Sequence, residues 1–170
     1  EAFLKYGFPY KVVGTLKFYE RKEIKDLLAY LRFVQNPNDL ISLERIINLP
    51  PRGLGRTKAE EFLKPKEALL LQLTPKKTKA LEGFNGLMSS LRETAKIMPI
   101  SQTLNQIIKE AGFKDYLLDG TPEGESRWEN VQELFTVIKK YDRLPPAEAL
   151  AAFLEEVALL ANHDEVEINK

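Results

Sequence analysis

Apolar residues recur every three or four positions along most of the chain, the period of helices that bury one face. Between residues 21 and 35, Ile24, Leu27, Leu28, Leu31 and Val34 share such a face. Asn36-Pro37-Asn38-Asp39 ends that helix, and Asp39 is placed to cap a short second one over about 40–47. A stiff Leu49-Pro50-Pro51 stretch then leads into Arg52-Gly53-Leu54-Gly55-Arg56. Thr57 and Glu60 have capping-box spacing and open a third helix. Thr74-Pro75 starts a longer one over roughly 75–97, with Leu81, Phe84, Leu87, Met88 and Leu91 as its stripe. Ser101 is positioned to cap a helix running to Ala111, with Gly112 as its stop. Residues 119–125 read as a polar loop, after which Ser126 and Glu129 open a helix to about Tyr141. The last helix, 146–161, carries Leu150, Phe153, Leu154, Val157 and Leu160. Only residues 10–18, with Val12, Val13 and aromatic neighbours, favour a strand. The pattern predicts a mainly α fold: a helical, bundle-like subdomain with a short N-terminal β arm and a helix-hairpin-helix-like Gly-Leu-Gly turn.

Composition narrows the chemistry. With 170 residues, 44% hydrophobic and 29% charged, the chain can build one ordinary core. No apolar run approaches the ~20 residues of a membrane span, so a cytoplasmic protein with no membrane partner is expected. The absence of cysteine excludes disulfides, thiolate metal sites and cysteine nucleophiles, and the single His163 leaves no multi-histidine site. Neither a Gly-x-x-x-x-Gly-Lys-Ser/Thr phosphate loop nor a Gly-x-Ser-x-Gly elbow is present. The adjacent carboxylates Glu60/Glu61 and Glu155/Glu156 diverge by about 100° on a helix and make no acid–base pair by themselves. No catalytic residue, metal ligand or cofactor site is therefore expected in this chain. Its start at Glu1 and its charged tail read as cuts within a longer protein.

The formal net charge is zero, but the charge is unevenly placed. Residues 52–79 hold eight basic and three acidic side chains, whereas residues 141–170 hold two basic and seven acidic ones. The basic stretch is either a solvated lysine-rich face or a field that attracts a polyanion. Arg52-Gly53-Leu54-Gly55-Arg56-Thr57-Lys58 stands at its head. Two glycines around one apolar residue make a hairpin turn that Leu54 can plug into a core. Without Cβ atoms, the glycines let a phosphate reach backbone N–H groups, and the next helix start adds more. Arg52, Arg56 and Lys58 would bring charge to the same anion, a grip on a DNA backbone without base reading. The same glycines could instead merely shape a tight helix–helix turn.

The blocks Gly7-Phe8-Pro9-Tyr10-Lys11-Val12-Val13-Gly14, Phe18-Tyr19-Glu20-Arg21-Lys22-Glu23-Ile24-Lys25-Asp26, Leu28-Ala29-Tyr30-Leu31-Arg32 and Asn36-Pro37-Asn38-Asp39 resemble segments of the UvrD/PcrA/Rep-type superfamily 1A DNA helicases. Arg45-Ile46-Ile47-Asn48-Leu49-Pro50-Pro51-Arg52-Gly53-Leu54-Gly55, Ser126–Leu134 and Phe153–Leu159 continue the series. The middle, about 60–120, matches only in helical character. The family pattern often has two glycines where Gly14-Thr15 stands, Ile at Leu54 and an aliphatic residue at Trp128.

The resemblance implies a 2B subdomain inserted in the second RecA-like motor domain. Residues 1–19 would be a stub of that motor, 20–162 the helical subdomain, and 163–170 the tail leading back. It implies that the intact protein is an ATP-dependent 3′-to-5′ helicase using ATP and magnesium outside this chain. The expected partners are the double-stranded DNA backbone near a single-strand junction, the motor domains, and accessory repair or replication proteins, in a nucleoid setting. The Gly-Leu-Gly turn would contact the duplex, and the subdomain would swing about a hinge near 17–22 and the tail. A different class of function, a docking module for a partner or for the motor with an incidental basic surface, fits the same residues. Arg127, Glu129 and Asn130 read as a local polar network, and Trp128 and Tyr116 as packing residues rather than base-stacking platforms.

Overall fold

The computed structural model describes residues 15–55, 59–62, 68 and 73–168. The described residues form helices and contain no strand. In chain order these are α1 (Thr15–Glu20), α2 (Lys22–Gln35), α3 (Leu40–Ile46), α4 (Ala59–Phe62), α5 (Pro75–Ile97), α6 (Ile100–Glu110), α7 (Phe113–Leu117), α8 (Pro122–Lys139) and α9 (Pro146–Ile168). A 3₁₀ turn, Lys140–Arg143, joins α8 to α9. No helix among the described residues is long and apolar enough to cross a membrane.

α2 is the axis of the bundle: α1, α3, α5, α6, α8 and α9 all pack on it. Its predicted stripe, Ile24, Leu27, Leu28, Leu31 and Val34, is buried, and so are Ala29, Tyr30 and Phe33. A helix buried on nearly every side needs more apolar positions than an amphipathic surface helix. The stripes of α5 (Leu81, Phe84, Met88, Leu91) and α9 (Leu150, Phe153, Leu154, Val157, Leu160) complete one core. Asp39 caps α3 as expected, accepting from Ser42 N–H at 3.0 Å and from Ser42 Oγ at 2.7 Å. Thr74 caps α5 by accepting from Lys77 N–H at 3.4 Å, with Pro75 in the first turn.

Three local expectations are corrected. The β arm over 10–18 lies mostly outside the described residues, but 15–18 are helical, within α1. Burial decides it: Phe18 and Tyr19 enter the core, and the Tyr19 ring meets Phe153 of α9 at 6.3 Å. Such packing overrides the weak strand preference of the segment. The second correction concerns α8, which starts at Pro122 rather than at Ser126. Thr121 is its cap, accepting from Gly124 N–H at 3.0 Å. Gly124 lies so close to the Leu117 carbonyl and the Asp119 carboxylate that no Cβ would fit. Third, Ser101 lies inside α6 instead of capping it. The Asp142 carboxylate, distant in sequence, accepts from Ser101 N–H at 3.0 Å and also from Ser101 Oγ.

Asn130 of α8 ties the break between α1 and α2 to the bundle. It accepts from the Arg21 guanidinium and donates to Glu23 Oε1 at 2.6 Å. Trp128 is half-buried against the core with Lys114 Nζ 5.6 Å from its ring centre. Both fit the packing and network roles read from the sequence.

Glu156 on α9 is buried beside Tyr19. Burial raises its carboxyl from an ordinary 4.5 to about 7, and Lys140 offsets only part of the shift. The folded state therefore holds this proton more tightly than the unfolded chain does. The stability it contributes is complete below pH 4.5 and is lost as pH rises through 7. Glu156→Gln keeps a neutral side chain of the same shape. Urea unfolding should find the variant equal to wild type near pH 4 and more stable at pH 8.

Candidate nucleic-acid interface

The turn after α3 is built from the inside. An ion pair between Arg45 Nε and the buried Asp26, 2.7 Å apart, fixes α3 on α2. Desolvation raises the Asp26 carboxyl, and Arg45 opposes that shift. α3 ends at Ile46, leaving its last carbonyls pointing past the helix end, where partial negative charge accumulates. The Arg52 guanidinium fills that position. Its Nη1 lies 2.9, 3.3 and 3.1 Å from the carbonyl oxygens of Ile46, Ile47 and Leu49. Its Nη2 donates to the hydroxyl of Tyr30, which donates in turn to the Leu49 carbonyl at 2.7 Å. The guanidinium carbon also sits 5.1 Å from the Phe84 ring centre and 5.9 Å from that of Tyr30.

Asn48 organises the other side of the turn. Its Oδ1 accepts from Arg52 N–H at 2.8 Å and from Leu54 N–H at 3.2 Å. The intervening Leu49–Pro50 peptide is cis. Leu54 is 1% exposed, so it plugs into the core as its apolar character predicts. On either side of it Gly53 and Gly55 are exposed, with φ of +79° and +66°. That left-handed backbone is open to glycine and strained for other residues. Among the described residues, neither glycine N–H has a partner.

Arg52 is the correction at this site. It was expected to face an anion beside the glycines, but its guanidinium turns inward onto the end of α3 and the Tyr30 hydroxyl. The helix-end carbonyls and two aromatic faces hold it there more fully than solvent could. Gly53, Leu54 and Gly55 stand as the turn reading requires, with the glycines outward and Leu54 inward. Arg56, Thr57 and Lys58 lie outside the described residues. Sequence reasoning missed Asn48 and Tyr30. An Asn four residues before the turn was a usable signal for a side chain holding its N–H groups. Nothing local marks Tyr30, which reaches the turn only through the packing of α2.

The whole chain, residues 1–170, matches the model of the UvrD-like helicase C-terminal domain. The chain belongs to this family. It is 37% identical over 182 residues to an ATP-dependent DNA helicase PcrA of Staphylococcus aureus (strain Mu50 / ATCC 700699), covering 98% of this chain and 25% of that protein. Against the protein of the same name from Bacillus subtilis (strain 168) the identity is 34% over 180 residues, covering 98% and 24%. The chain thus spans about a quarter of the length of these relatives.

The relatives' names carry ATP dependence. In this UvrD-like C-terminal domain the sequence holds no phosphate loop. Among its described residues no three His, Asp or Glu side chains gather as a metal ion would require. These residues do not fit a nucleotide–magnesium site, and no nucleotide step is assigned to them.

Arg52→Ala should cost this domain about 2–3 kcal/mol in urea unfolding, the scale of charge-assisted hydrogen bonds left unmade in a half-buried setting. Arg52→Lys should recover little of the loss, because an ammonium cannot reproduce the planar fork between three carbonyls and a phenol.

Proposed function

We propose that this chain is the duplex-binding, regulatory 2B-type subdomain of an ATP-dependent 3′-to-5′ DNA helicase. Residues 20–162 would be the helical unit, with 1–19 and 163–170 connecting it to the motor. The turn at Gly53 and Gly55 carries the reading. It presents two N–H groups that have no partner among the described residues, on exposed, left-handed backbone, held rigid from beneath by Leu54, Asn48 and Arg52. A phosphate oxygen can approach such a surface closely and accept from both N–H groups, which supplies affinity without reading sequence. Membership of a helicase family supports DNA as the partner. A rigid grip on duplex backbone, joined to a motor through 1–19 and 163–170, would bias how the motor meets the junction.

The inward turn of Arg52 favours a second reading, a docking module, because it removes one of the expected phosphate cations from the surface. The two readings part on one variant. Gly53→Val with Gly55→Val adds side chains where the phosphate would sit. No atom outside the turn lies closer than 3.9 Å to the added carbons, but the left-handed φ strains both, so the variant's fold is checked before its binding is compared. Fluorescence anisotropy with a short blunt duplex should show wild-type binding that weakens with salt, at a log–log slope of about −2.7 for three phosphates. The double variant should bind far more weakly while circular dichroism shows unchanged helix content. Equal binding by the two proteins would support docking instead.

A further inference from the structure

α1 is held to the bundle by few side chains. Phe18 and Tyr19 are buried, whereas Lys17 and Glu20 are exposed. The Tyr19 ring meets Phe153 of α9 at 6.3 Å and the Phe18 ring at 5.2 Å. One extended residue, Arg21 (φ −61°, ψ 139°), separates α1 from α2, so α1 can leave the bundle while α2 stays. Glu156 stands about one turn beyond Phe153 on α9 and is 7% exposed. Among the described residues its carboxyl has no hydrogen bond or ion pair. The ionisable groups that face this crevice are the Tyr19 phenol from α1, Glu133 from α8 and Lys140 from the 3₁₀ turn. The other buried or half-buried charges of the elements around α9 are engaged elsewhere. Glu23 and Asp26 of α2 are held by Asn130 and Arg45, Arg92 of α5 by the Phe33 carbonyl, and Asp142 of the 3₁₀ turn by Ser101. A charge on Glu156 would therefore be buried without a direct partner, which is costly.

Such an acid either keeps its proton or ionises and must reach water. α9 is locked into the core by its whole apolar stripe, whereas α1 covers Glu156 with Tyr19 and is anchored by two rings. We infer that Glu156 is a proton-controlled latch for α1: the neutral carboxyl lets Phe18 and Tyr19 seat on α9, and the ionised carboxyl releases them. The seated state holds the proton more tightly than the released one, so seating is complete below the ordinary carboxyl range and weakens as pH rises. Burial raises this carboxyl to about 7, which brings the release into the neutral range. The pH-dependent stability of Glu156 is then lost first at α1. The inference does not rest on the duplex-binding reading. It concerns the join between segment 1–19 and the helical unit, whose direction is fixed while α1 is seated and free once it is released.

The test is an NMR pH titration of the full chain from about pH 5 to 8.5, comparing wild type, Glu156→Gln and Lys140→Met. The readouts are the nuclear Overhauser contact between the Tyr19 and Phe153 rings and the backbone relaxation of α1, with the α6 amides as an internal reference. In the wild type the seating constant should fall by about tenfold per pH unit between 4.5 and 7 and level off above. The ring contact should fade over that range and α1 should become mobile, while α6 keeps its shifts. Glu156→Gln should hold the contact at every pH. Lys140→Met removes the cation that eases the charged form, and should make release at pH 8 more complete than in the wild type. A wild-type ring contact that persists unchanged at pH 8.5 overturns the inference. A pH response in Glu156→Gln equal to that of the wild type also overturns it, since another group would then be titrating. So does loss of the α6 resonances together with the ring contact, because Glu156 would then govern the whole bundle and not α1.

Discussion

Everything on the exposed side of the turn depends on one half-buried cation. The Arg52 guanidinium lies against the carbonyls that end α3, between the Tyr30 hydroxyl and the ring of Phe84. It joins three parts of the bundle: α2 through Tyr30, the end of α3 through its carbonyls, and α5 through Phe84. A lysine could neutralise the helix end but could not fill this planar slot and donate in several directions at once. With the chain pinned at Arg52 and Leu54, the intervening Gly53 has little choice but to bulge outward. Rigidity beneath the surface is what turns two exposed glycines into a preformed surface instead of a loose loop.

Much of this was legible in the sequence, because helix periodicity and capping are local signals. The stripes of α2, α5 and α9, the Asp39 and Thr74 caps, and Leu54 as a plug all follow from residue spacing and turn chemistry. The failures share one cause. Ser101 and Ser126 were plausible caps, but α6 is capped by Asp142 from across the bundle, and α8 starts earlier because Gly124 can nest against Leu117 and Asp119. Residues 15–18 suited a strand until α9 offered Phe18 and Tyr19 a core to enter. In each case a contact outside the capping pattern itself, across the bundle for α1 and α6 and five to seven residues back for α8, decided between two local options of similar merit.

Arg52 shows the same limit at the functional site. In sequence it belongs to a basic cluster and looks like every other surface cation. Only its distance to Ile46, Ile47, Leu49 and Tyr30 reveals that its charge is engaged internally. Lys76 is the converse, unremarkable within a lysine-rich stretch until the fold lays it over Gly53. Charge counting marks the region but does not tell a cation engaged internally, as Arg52 is, from one exposed beside the turn, as Lys76 is. Neither glycine N–H reads a base, in keeping with the proposed contact to a duplex backbone.

The most direct measurement is an NMR titration of the chain with a short hairpin duplex at low salt. The account predicts the largest amide shifts at Gly53 and Gly55 and an Arg52 Nε resonance that barely moves. Shifts that leave Gly53 and Gly55 untouched while clustering elsewhere, or an Arg52 side chain that responds as strongly as the glycines, would contradict it.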